Sequence, residues 1–226
     1  IGCMVQLYGK KLFEKIPDLD GIVSFCEYKN ITNYIRNIIE KKQNLFFQDE
    51  AFVPSDELRL RVTPKNFAYL RITEGCSNWC SYCNIPIIRG EMRSKPIAQI
   101  IEEAKLLITD GTKELIIIGQ DTGAYGKDLE EDINLYTLVE NLSQLSELKW
   151  IRLMYIHPGQ FQPHFIKLFK IPKVLPYLEM PIQHINNRIL EAMGRGSTSK
   201  NYIKELICSL RNKYPDIILR TTVMVG

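Results

Sequence analysis

The sequence lacks several features that would place it in a special class of protein. None of its stretches approaches the ~18 uninterrupted apolar residues that a membrane-spanning helix needs. It has no low-complexity tract, and its hydrophobic fraction of 45% can fill a core, which excludes a mainly disordered chain. It begins at Ile1, without an initiator Met or the basic segment of a signal peptide. These absences predict a globular protein that works in the cytoplasm without a membrane partner.

Strong charge and abundant cysteine are also missing. The 29 basic and 26 acidic side chains leave a formal net charge of +3 over 226 residues, which neither requires nor excludes a nucleic-acid partner. Six cysteines are too few for a small secreted fold held by disulfides, and a reducing compartment is expected. Cys26 and Cys208 lie in apolar surroundings, so we expect both to be buried and unreactive.

From residue 67 onward, the pattern of apolar residues predicts alternating strands and helices. Apolar runs typical of buried strands lie at 68–72, 115–118, 150–156, 177–182 and 217–225. Helices are predicted at 97–109, 133–145, 161–170, 186–194 and 199–213. Strands that alternate with helices indicate parallel βα units, and five units are fewer than the eight of a closed barrel. We therefore predict an α/β fold with an open or partial (β/α) barrel.

A smaller α/β unit is predicted before the barrel, in residues 1–42. It consists of a helix at 7–16, a strand at 21–25 and a helix at 30–42. Residues 43–66 carry two prolines and no clear periodicity, so we expect a linker with some local packing there. The barrel then takes residues 67–226.

A cysteine motif follows the first predicted strand of the barrel. Cys76, Cys80 and Cys83 have the spacing Cys-x3-Cys-x2-Cys. Three thiolates on one loop can bind three irons of a four-iron cube, and no fourth cysteine lies nearby. A structural zinc ion normally takes four protein ligands, so the absent ligand indicates the open coordination position of a catalytic metal centre. A zinc site completed from elsewhere in the chain is the alternative.

Other polar residues follow the predicted strands at their carboxyl ends, where barrel enzymes carry their active sites. Gly119, Gln120 and Asp121 follow the second strand, and Gln183 follows the fourth. Tyr82 directly precedes the third cysteine of the motif, where it can cover the open position. A purely structural role is the alternative for each of these residues, such as the capping of a loop by Asp121.

The cysteine motif resembles that of a known superfamily. Its aromatic residue just before the third cysteine is similar to the radical S-adenosylmethionine (radical SAM) enzymes. The longer run from Glu74 to Gly90, Glu-Gly-Cys-x3-Cys-x-Tyr-Cys-x-Ile-Pro-x2-Arg-Gly, resembles the methylthiotransferases of that superfamily. Residues 2–6, Gly-Cys-Met-Val-Gln, resemble the end of the methylthiotransferase N-terminal domain. The resemblance therefore covers nearly the whole chain.

This resemblance implies an arrangement of domains. Residues 1–42 would be the C-terminal part of the methylthiotransferase N-terminal domain, and residues 67–226 most of the radical SAM core. The last barrel units and the substrate-binding TRAM domain of the family are expected to lie beyond this sequence. Cys3 matches the third cysteine ligand of a second [4Fe–4S] cluster, whose other two ligands would precede Ile1.

The resemblance also implies cofactors. Cys76, Cys80 and Cys83 would hold a [4Fe–4S] cluster whose open iron binds S-adenosylmethionine (SAM). The residues expected against SAM are Tyr82, Gly119, Gln120, Asp121, Gln183, Arg195 and Arg220, and the two arginines could instead meet an acidic substrate. An electron donor such as flavodoxin or ferredoxin is implied as a partner. No catalytic side chain is assigned, because the cofactor carries the difficult chemistry.

Two branches of the methylthiotransferases differ in their substrate. One branch modifies adenosine in tRNA, and the RimO type modifies an aspartate of a ribosomal protein of the small subunit. The segments 119–122, 181–184 and 220–222 resemble the RimO type, whereas 195–198 is nearer the tRNA pattern. We therefore expect insertion of a methylthio group at the aspartate β-carbon, with tRNA adenosine as the alternative substrate.

A function of another class is a binding module for RNA or the ribosome, in which the metal only fixes a loop. The mild net charge and the lack of a basic stripe weaken this alternative. The metal separates the two hypotheses, because iron with sulfide indicates the enzyme and zinc indicates the module.

Overall fold

The structure, a computed structural model, describes residues 1–47, 53–54, 56, 59–129 and 133–225, with the backbone alone at 26, 28 and 29. The first part of the chain forms a small α/β unit. Its elements are α1 (Cys3–Tyr8), α2 (Lys11–Lys15), β1 (Ile22–Val23), α3 (Ile31–Ile39) and β2 (Leu45–Phe46). The two strands pair in parallel, and Val5, Leu12 and Ile22 form a core of their own beneath them.

One sequence prediction for this unit is wrong, and the predicted linker contains a short strand. The single helix predicted at 7–16 is divided, because Gly9 adopts a left-handed φ of 51° between α1 and α2. Part of the linker predicted at 43–66 is strand β2, which pairs with β1. Strand β2 has only Leu45 and Phe46, and this pattern is too short to distinguish it from a loop.

From residue 67 onward, strands and helices alternate as predicted. The elements are β3 (Phe67–Arg71), β4 (Thr73–Glu74), α4 (Ile85–Arg89), β5 (Arg93–Ser94), α5 (Ile97–Thr109), β6 (Glu114–Ile118), α6 (Leu135–Ser143), β7 (Trp150–Leu153), β8 (Val174–Glu179), α7 (Asn187–Ala192), α8 (Lys200–Lys213) and β9 (Ile218–Arg220). The predicted helix at 161–170 is instead a 3₁₀ helix, Pro163–Lys170. None of the helices within the described residues has the length and apolar character to cross a bilayer.

One parallel sheet of five strands organises the barrel. Its order is β3-β6-β7-β8-β9, so each strand pairs with the next strand of the sheet along the chain. Connections between parallel strands are right-handed, and a sheet built in chain order therefore carries its helices on one face. This order confirms the predicted α/β fold with an open parallel sheet.

The helix-bearing face of the sheet forms the main core. Leu70, Ile117 and Leu153 point to this face and are fully buried, as the two-residue period of a strand requires. Ile100 on α5 and Leu138 on α6 are fully buried in the same cluster. Each side chain of this size stabilises the fold by roughly 1.5–3 kcal/mol through its burial.

The opposite face of the sheet is polar and partly open to solvent. Arg152 Nε lies 2.6 Å from Glu114 Oε1, and the Arg152 guanidinium lies over the Tyr177 ring. Arg220 Nη1 lies 3.0 Å from Glu179 Oε2. This inner face is therefore available for binding a polar ligand.

The prediction that Cys208 is buried is wrong, since its side chain is exposed on α8. Ile203 and Leu210 occupy the buried side of that helix. Position 208 falls on the opposite side, even though its neighbours in the sequence are apolar. The corresponding prediction for Cys26 lies outside the described side chains.

Candidate metal centre and cofactor site

The three motif cysteines lie on the loop between β4 and α4. This cysteine loop, residues 75–84, begins at Gly75, whose φ of 80° is left-handed. A Cβ at Gly75 would overlap the carbonyl oxygen of Glu91, so only glycine fits there. The Cys76 N–H donates to the Gly90 carbonyl at 3.1 Å, which closes the segment after α4 onto the start of the loop.

All three motif cysteines are half-buried and free of disulfides. Burial raises the pKa of the Cys76 thiol, and hydrogen bonds from Asn78 lower it. Among the described residues, no three His, Cys, Asp or Glu side chains gather closely enough to share one metal ion. In an iron–sulfur cube each thiolate binds a different iron, so thiols spread along a loop fit a cube better than a single zinc ion.

The end of α7 is fastened to the cysteine loop. The Ser81 N–H donates to the Met193 carbonyl at 3.0 Å, and the Ser81 hydroxyl donates to the Ala192 carbonyl at 2.8 Å. Gly194 follows with a left-handed φ of 72° and lies against the backbone of Trp79 and Cys80. This attachment brings residue 195 to the motif across more than a hundred residues of sequence.

Arg195 lies directly against the cysteine loop and is only 3% exposed. Its Nη1 lies 3.6 Å from Cys80 Sγ and 3.3 Å from the Tyr82 hydroxyl oxygen. Its Nη2 donates to the Pro181 carbonyl at 2.7 Å. Its Nε is buried without a hydrogen-bond partner among the described residues. The predicted residues Arg195 and Tyr82 are therefore brought together with the motif cysteines.

Asn78 supports the other side of the cysteine loop, and the sequence analysis did not single it out. Its Nδ2 lies 3.5 Å from Cys76 Sγ and 2.7 Å from Asp121 Oδ2. Its Oδ1 accepts a hydrogen bond from Gln160 Nε2 at 3.1 Å. The only sequence sign of this role is the position of Asn78 inside the motif.

Asp121 is almost fully buried beside Asn78. Its carboxylate also accepts the N–H groups of Gly123 at 3.2 Å and His157 at 3.1 Å. Burial raises the pKa of this carboxyl, and the hydrogen bonds oppose that effect. Asp121 thus has the loop-capping role that the sequence left open, and it also positions the cysteine loop through Asn78.

Gln120 offers a free acceptor beside the same loop. Its Nε2 donates to Glu74 at 3.2 Å, while its Oε1 is buried without a partner among the described residues. Glu74, itself 3% exposed, also binds Arg71 at 2.7 Å and Arg89 at 2.8 Å. A buried acceptor without a donor is a position that a ligand N–H can satisfy.

The other predicted cofactor contacts lie around this centre. Gly119 ends β6 beside Thr73, whose hydroxyl a Cβ at position 119 would overlap. Gln183 has a left-handed φ of 66° and pairs through its backbone with residue 223. Arg220 is exposed on the inner face and has a carboxylate partner of its own in Glu179.

Cys3 is exposed at the start of α1. Helix α1 packs against α4, which directly follows the cysteine loop. The Arg89 guanidinium on α4 lies 3.7 Å from the centre of the Phe25 ring, so the small unit is docked at this side of the barrel. Cys3 is therefore on an element that lies next to the cysteine loop.

The ionisation of His157 makes the stability of the fold depend on pH. Burial, with a smaller contribution from Arg195, lowers the pKa of its imidazole from 6.5 to about 4, and its Nδ1 accepts the Gly159 N–H at 3.1 Å. The folded state therefore favours the neutral imidazole of His157, whereas the unfolded chain binds a proton more readily. The free energy of unfolding should be highest above pH 6.5 and should fall as the pH drops towards 4. We expect a loss of about 2 kcal/mol over this range, allowing for partial exposure. Urea unfolding at several pH values measures it.

His157→Asn is the matched control for this prediction. Asparagine keeps an acceptor for the Gly159 N–H but does not titrate. The difference in unfolding free energy between the two proteins should therefore change between pH 6.5 and 4. A constant difference over that range would contradict the assignment.

Comparison with known proteins places the chain among characterised sequences and folds. Residues 70–226 match the Radical SAM superfamily. The chain is 42% identical over 229 residues to the ribosomal protein uS12 methylthiotransferase RimO of Caldicellulosiruptor saccharolyticus, and 41% identical over 229 residues to that of Syntrophomonas wolfei. Both alignments cover 100% of this chain and 52% of the relative. The chain therefore spans about half the length of the curated relatives it matches.

Two solved structures share the fold. The cobalamin-dependent S-adenosylmethionine radical enzyme OxsB has a TM-score of 0.62 at 11% identity, over 100% of this chain and 36% of its own. The radical S-adenosylmethionine methyltransferase TsrM from Kitasatospora setae, with cobalamin and a [4Fe–4S] cluster bound, has a TM-score of 0.56 at 16% identity. That match covers 71% of this chain and 31% of TsrM. At such identities the likeness concerns the fold alone.

Proposed function

This chain belongs to the radical SAM superfamily, and we propose that it forms the catalytic core of an enzyme that inserts a methylthio group into a ribosomal protein. The target would be the β-carbon of an aspartate in protein uS12 of the small subunit. One observation carries the proposal: three half-buried thiols share one loop at the exit of the first barrel strand, and one of them, Cys80, lies against a buried arginine. The relatives named uS12 methylthiotransferase support the choice of reaction.

The residues of the site fit a [4Fe–4S] cluster and SAM. Cys76, Cys80 and Cys83 would each bind one iron, which leaves the fourth iron open for SAM. Together these cofactors supply homolytic removal of hydrogen from an unactivated C–H bond. The free Oε1 of Gln120 is suited to accept an N–H of the SAM amino group, and Tyr82, held by Arg195, would lie beside the cluster.

The side chains of this protein would hold the cysteine loop in place and orient the substrate. Asp121 and Asn78 fix one side of the cysteine loop, and α7 fixes the other. The inner face of the sheet presents Arg220, whose side chain is 62% exposed, to an acidic side chain entering there. Accurate placement of this kind can supply several kcal/mol of the barrier reduction in an enzyme.

Cys3 would be one ligand of a second [4Fe–4S] cluster in the complete protein. The packing of α1 against α4 supports this assignment, because it places the helix that begins at Cys3 against the helix that follows the cysteine loop. An enzyme that acts on a ribosomal protein would work in the cytoplasm, with a one-electron donor such as flavodoxin or ferredoxin.

The segment that resembled the tRNA-modifying branch does not argue for a tRNA substrate. In residues 195–198, Arg195 and Thr198 are both buried, and the Thr198 hydroxyl donates to the Arg195 carbonyl at 2.8 Å. These side chains support the cysteine loop and the turn after α7. They are therefore not placed to distinguish one substrate from another.

The test is a direct comparison of the two substrates. The complete protein, reconstituted anaerobically with iron and sulfide, would be incubated with SAM, a reductant and either uS12 or tRNA. Mass spectrometry should find one hydrogen replaced by one methylthio group on a uS12 aspartate, and no change in tRNA. Modified tRNA with unchanged uS12 would contradict the substrate, and a loaded enzyme that modifies neither would contradict the activity.

A further inference from the structure

We propose that Arg195 is a positioning residue for the cluster: it binds the cluster's negative charge through the Cys80 sulfur and thereby raises the reduction potential. This inference rests on the proposed function, since it needs a [4Fe–4S] cluster on the cysteine loop. It differs from the sequence expectation, in which Arg195 meets the carboxylate of SAM or of a substrate.

Burial of the guanidinium is the first step of the inference. Only two Lys or Arg side chains within the described residues are buried, Lys95 and Arg195. Lys95 lies between two carboxylates, with Nζ at 2.8 Å from Glu103 and 2.9 Å from Asp56. Among the residues that the structure describes, no carboxylate lies within 4.0 Å of the Arg195 guanidinium. A buried charge without a counter-ion is strongly unfavourable, so we expect an anion to bind beside Arg195.

The direction of its donors is the second step. Nη2 is held by the Pro181 carbonyl, which fixes the plane of the guanidinium. Nη1 is directed at Cys80 Sγ and the Tyr82 hydroxyl. Since Cys80 Sγ lies 3.6 Å from Nη1, the Cys80 thiolate would be an anion next to Arg195 in the loaded protein. Hydrogen bonds with an ionised partner are the stronger ones, so this contact should tighten when iron binds.

The effect on the reduction potential follows from charge. A four-iron cube held by three thiolates is negatively charged, and reduction adds one more negative charge. Hydrogen bonds to the sulfurs and the net charge of the site both set the potential of such clusters. A buried cation against one sulfur stabilises the reduced state more than the oxidised state. Removal of that cation should therefore make the cluster harder to reduce.

The experiment measures the midpoint potential of the cluster without SAM. The parent is the full chain with Cys3→Ala, so that no second cluster contributes. Arg195→Gln keeps hydrogen-bond donors but removes the charge, and Arg195→Lys keeps the charge without the planar fork. After anaerobic reconstitution, each protein is titrated with dithionite and mediators, and the reduced fraction is read from the EPR signal.

We expect Arg195→Gln to shift the potential to more negative values. At a fixed potential the ratio of reduced to oxidised cluster should fall at least tenfold, which corresponds to about 59 mV for one electron. Arg195→Lys should restore part of the shift. Lys105→Gln is the matched control, because Lys105 is exposed on α5 with Glu102 as its own partner and should leave the potential unchanged.

Each outcome distinguishes the alternatives. If Arg195→Gln binds about four irons and has the parent's potential, the inference is overturned. A weakened affinity for SAM in that variant would then favour the earlier expectation that Arg195 binds the SAM carboxylate. If Arg195→Gln fails to fold, Arg195→Lys decides, because its compact ammonium should recover only part of the effect of the planar fork. A potential between about zero and 59 mV more negative than the parent's supports the inference, and a potential equal to the parent's overturns it. If the parent itself binds no iron–sulfur cluster, the proposed function fails.

Discussion

Replacing Cys80 with alanine is expected to reduce the iron bound by this chain from about four atoms to near zero, and to abolish methylthio transfer by the complete protein. Cys80 would be one of only three protein ligands, and it is the one against which Arg195 is buried. Its loss removes one iron ligand and leaves the buried guanidinium without an anion. A cluster bound by the two remaining cysteines would therefore be weakly held. Iron and labile-sulfide analysis after anaerobic reconstitution measures the effect, with EPR of the reduced sample as a second readout.

Cys208→Ala is the matched control for this substitution. Cys208 is also a free cysteine, but it is exposed on α8, away from the cysteine loop. It should keep all the iron, which separates a specific site from iron bound to any available thiol. Retention of about four irons in Cys80→Ala would overturn the assignment of the ligands. Zinc in place of iron in the parent would favour the binding-module hypothesis.

Glu103→Ala is expected to lower the free energy of unfolding by about 3 kcal/mol, the largest loss that we expect from a residue outside the cofactor site. Lys95 is fully buried, and its Nζ lies within 2.9 Å of both Glu103 carboxylate oxygens. Alanine removes both acceptors and leaves the ammonium in the core with Asp56 as its one remaining partner among the described residues. Urea unfolding followed by circular dichroism measures the loss.

The double variant Lys95→Met with Glu103→Leu provides the control. It removes the charge together with its partner and fills the same space with apolar atoms. Such replacements of a buried pair are often neutral, so the double variant should be clearly more stable than Glu103→Ala alone. Equal losses in the two proteins would show that Glu103 contributes packing rather than charge.

Asp56 links the buried pair of Lys95 and Glu103 to the first strand of the sheet. Its carboxylate joins Lys95, at 2.9 Å, to Arg71 of β3, at 2.6 Å. Burial raises the pKa of Asp56, but these two cations outweigh it and hold the pKa below the usual value. Residue 56 lies within the predicted linker, so this part of the segment is tied to the barrel rather than free of it.

The sequence predicted well those features that depend on neighbouring residues. Helix α5 runs over residues 97–109 as predicted, because its apolar spacing is regular and Pro96 precedes it. The cysteine motif was found because its ligands lie on one loop. In contrast, β2 consists of two residues that are fixed by pairing with β1, and no local periodicity reports such pairing.

Contacts between distant residues account for what the sequence did not predict in the site. The attachment of Arg195 to Cys80 joins positions 115 residues apart, and the link from Asn78 to Asp121 joins positions 43 residues apart. Sequence patterns indicated that Arg195 and Asp121 belong near the site, but not which atoms they would meet. Their partners depend on how the strand ends are brought together by the sheet.

The chain order of the strands has a consequence for how the protein is made. The sheet can grow as the polypeptide is synthesised, since each new strand joins the edge formed by the strand before it. The cysteine loop is complete after the first of these strands, whereas Arg195 follows 115 residues behind Cys80. At 5–20 residues per second, that interval lasts roughly 6–23 s. During this time the cysteine loop of a nascent chain lacks the contacts that α7 and Arg195 make with it in the folded protein.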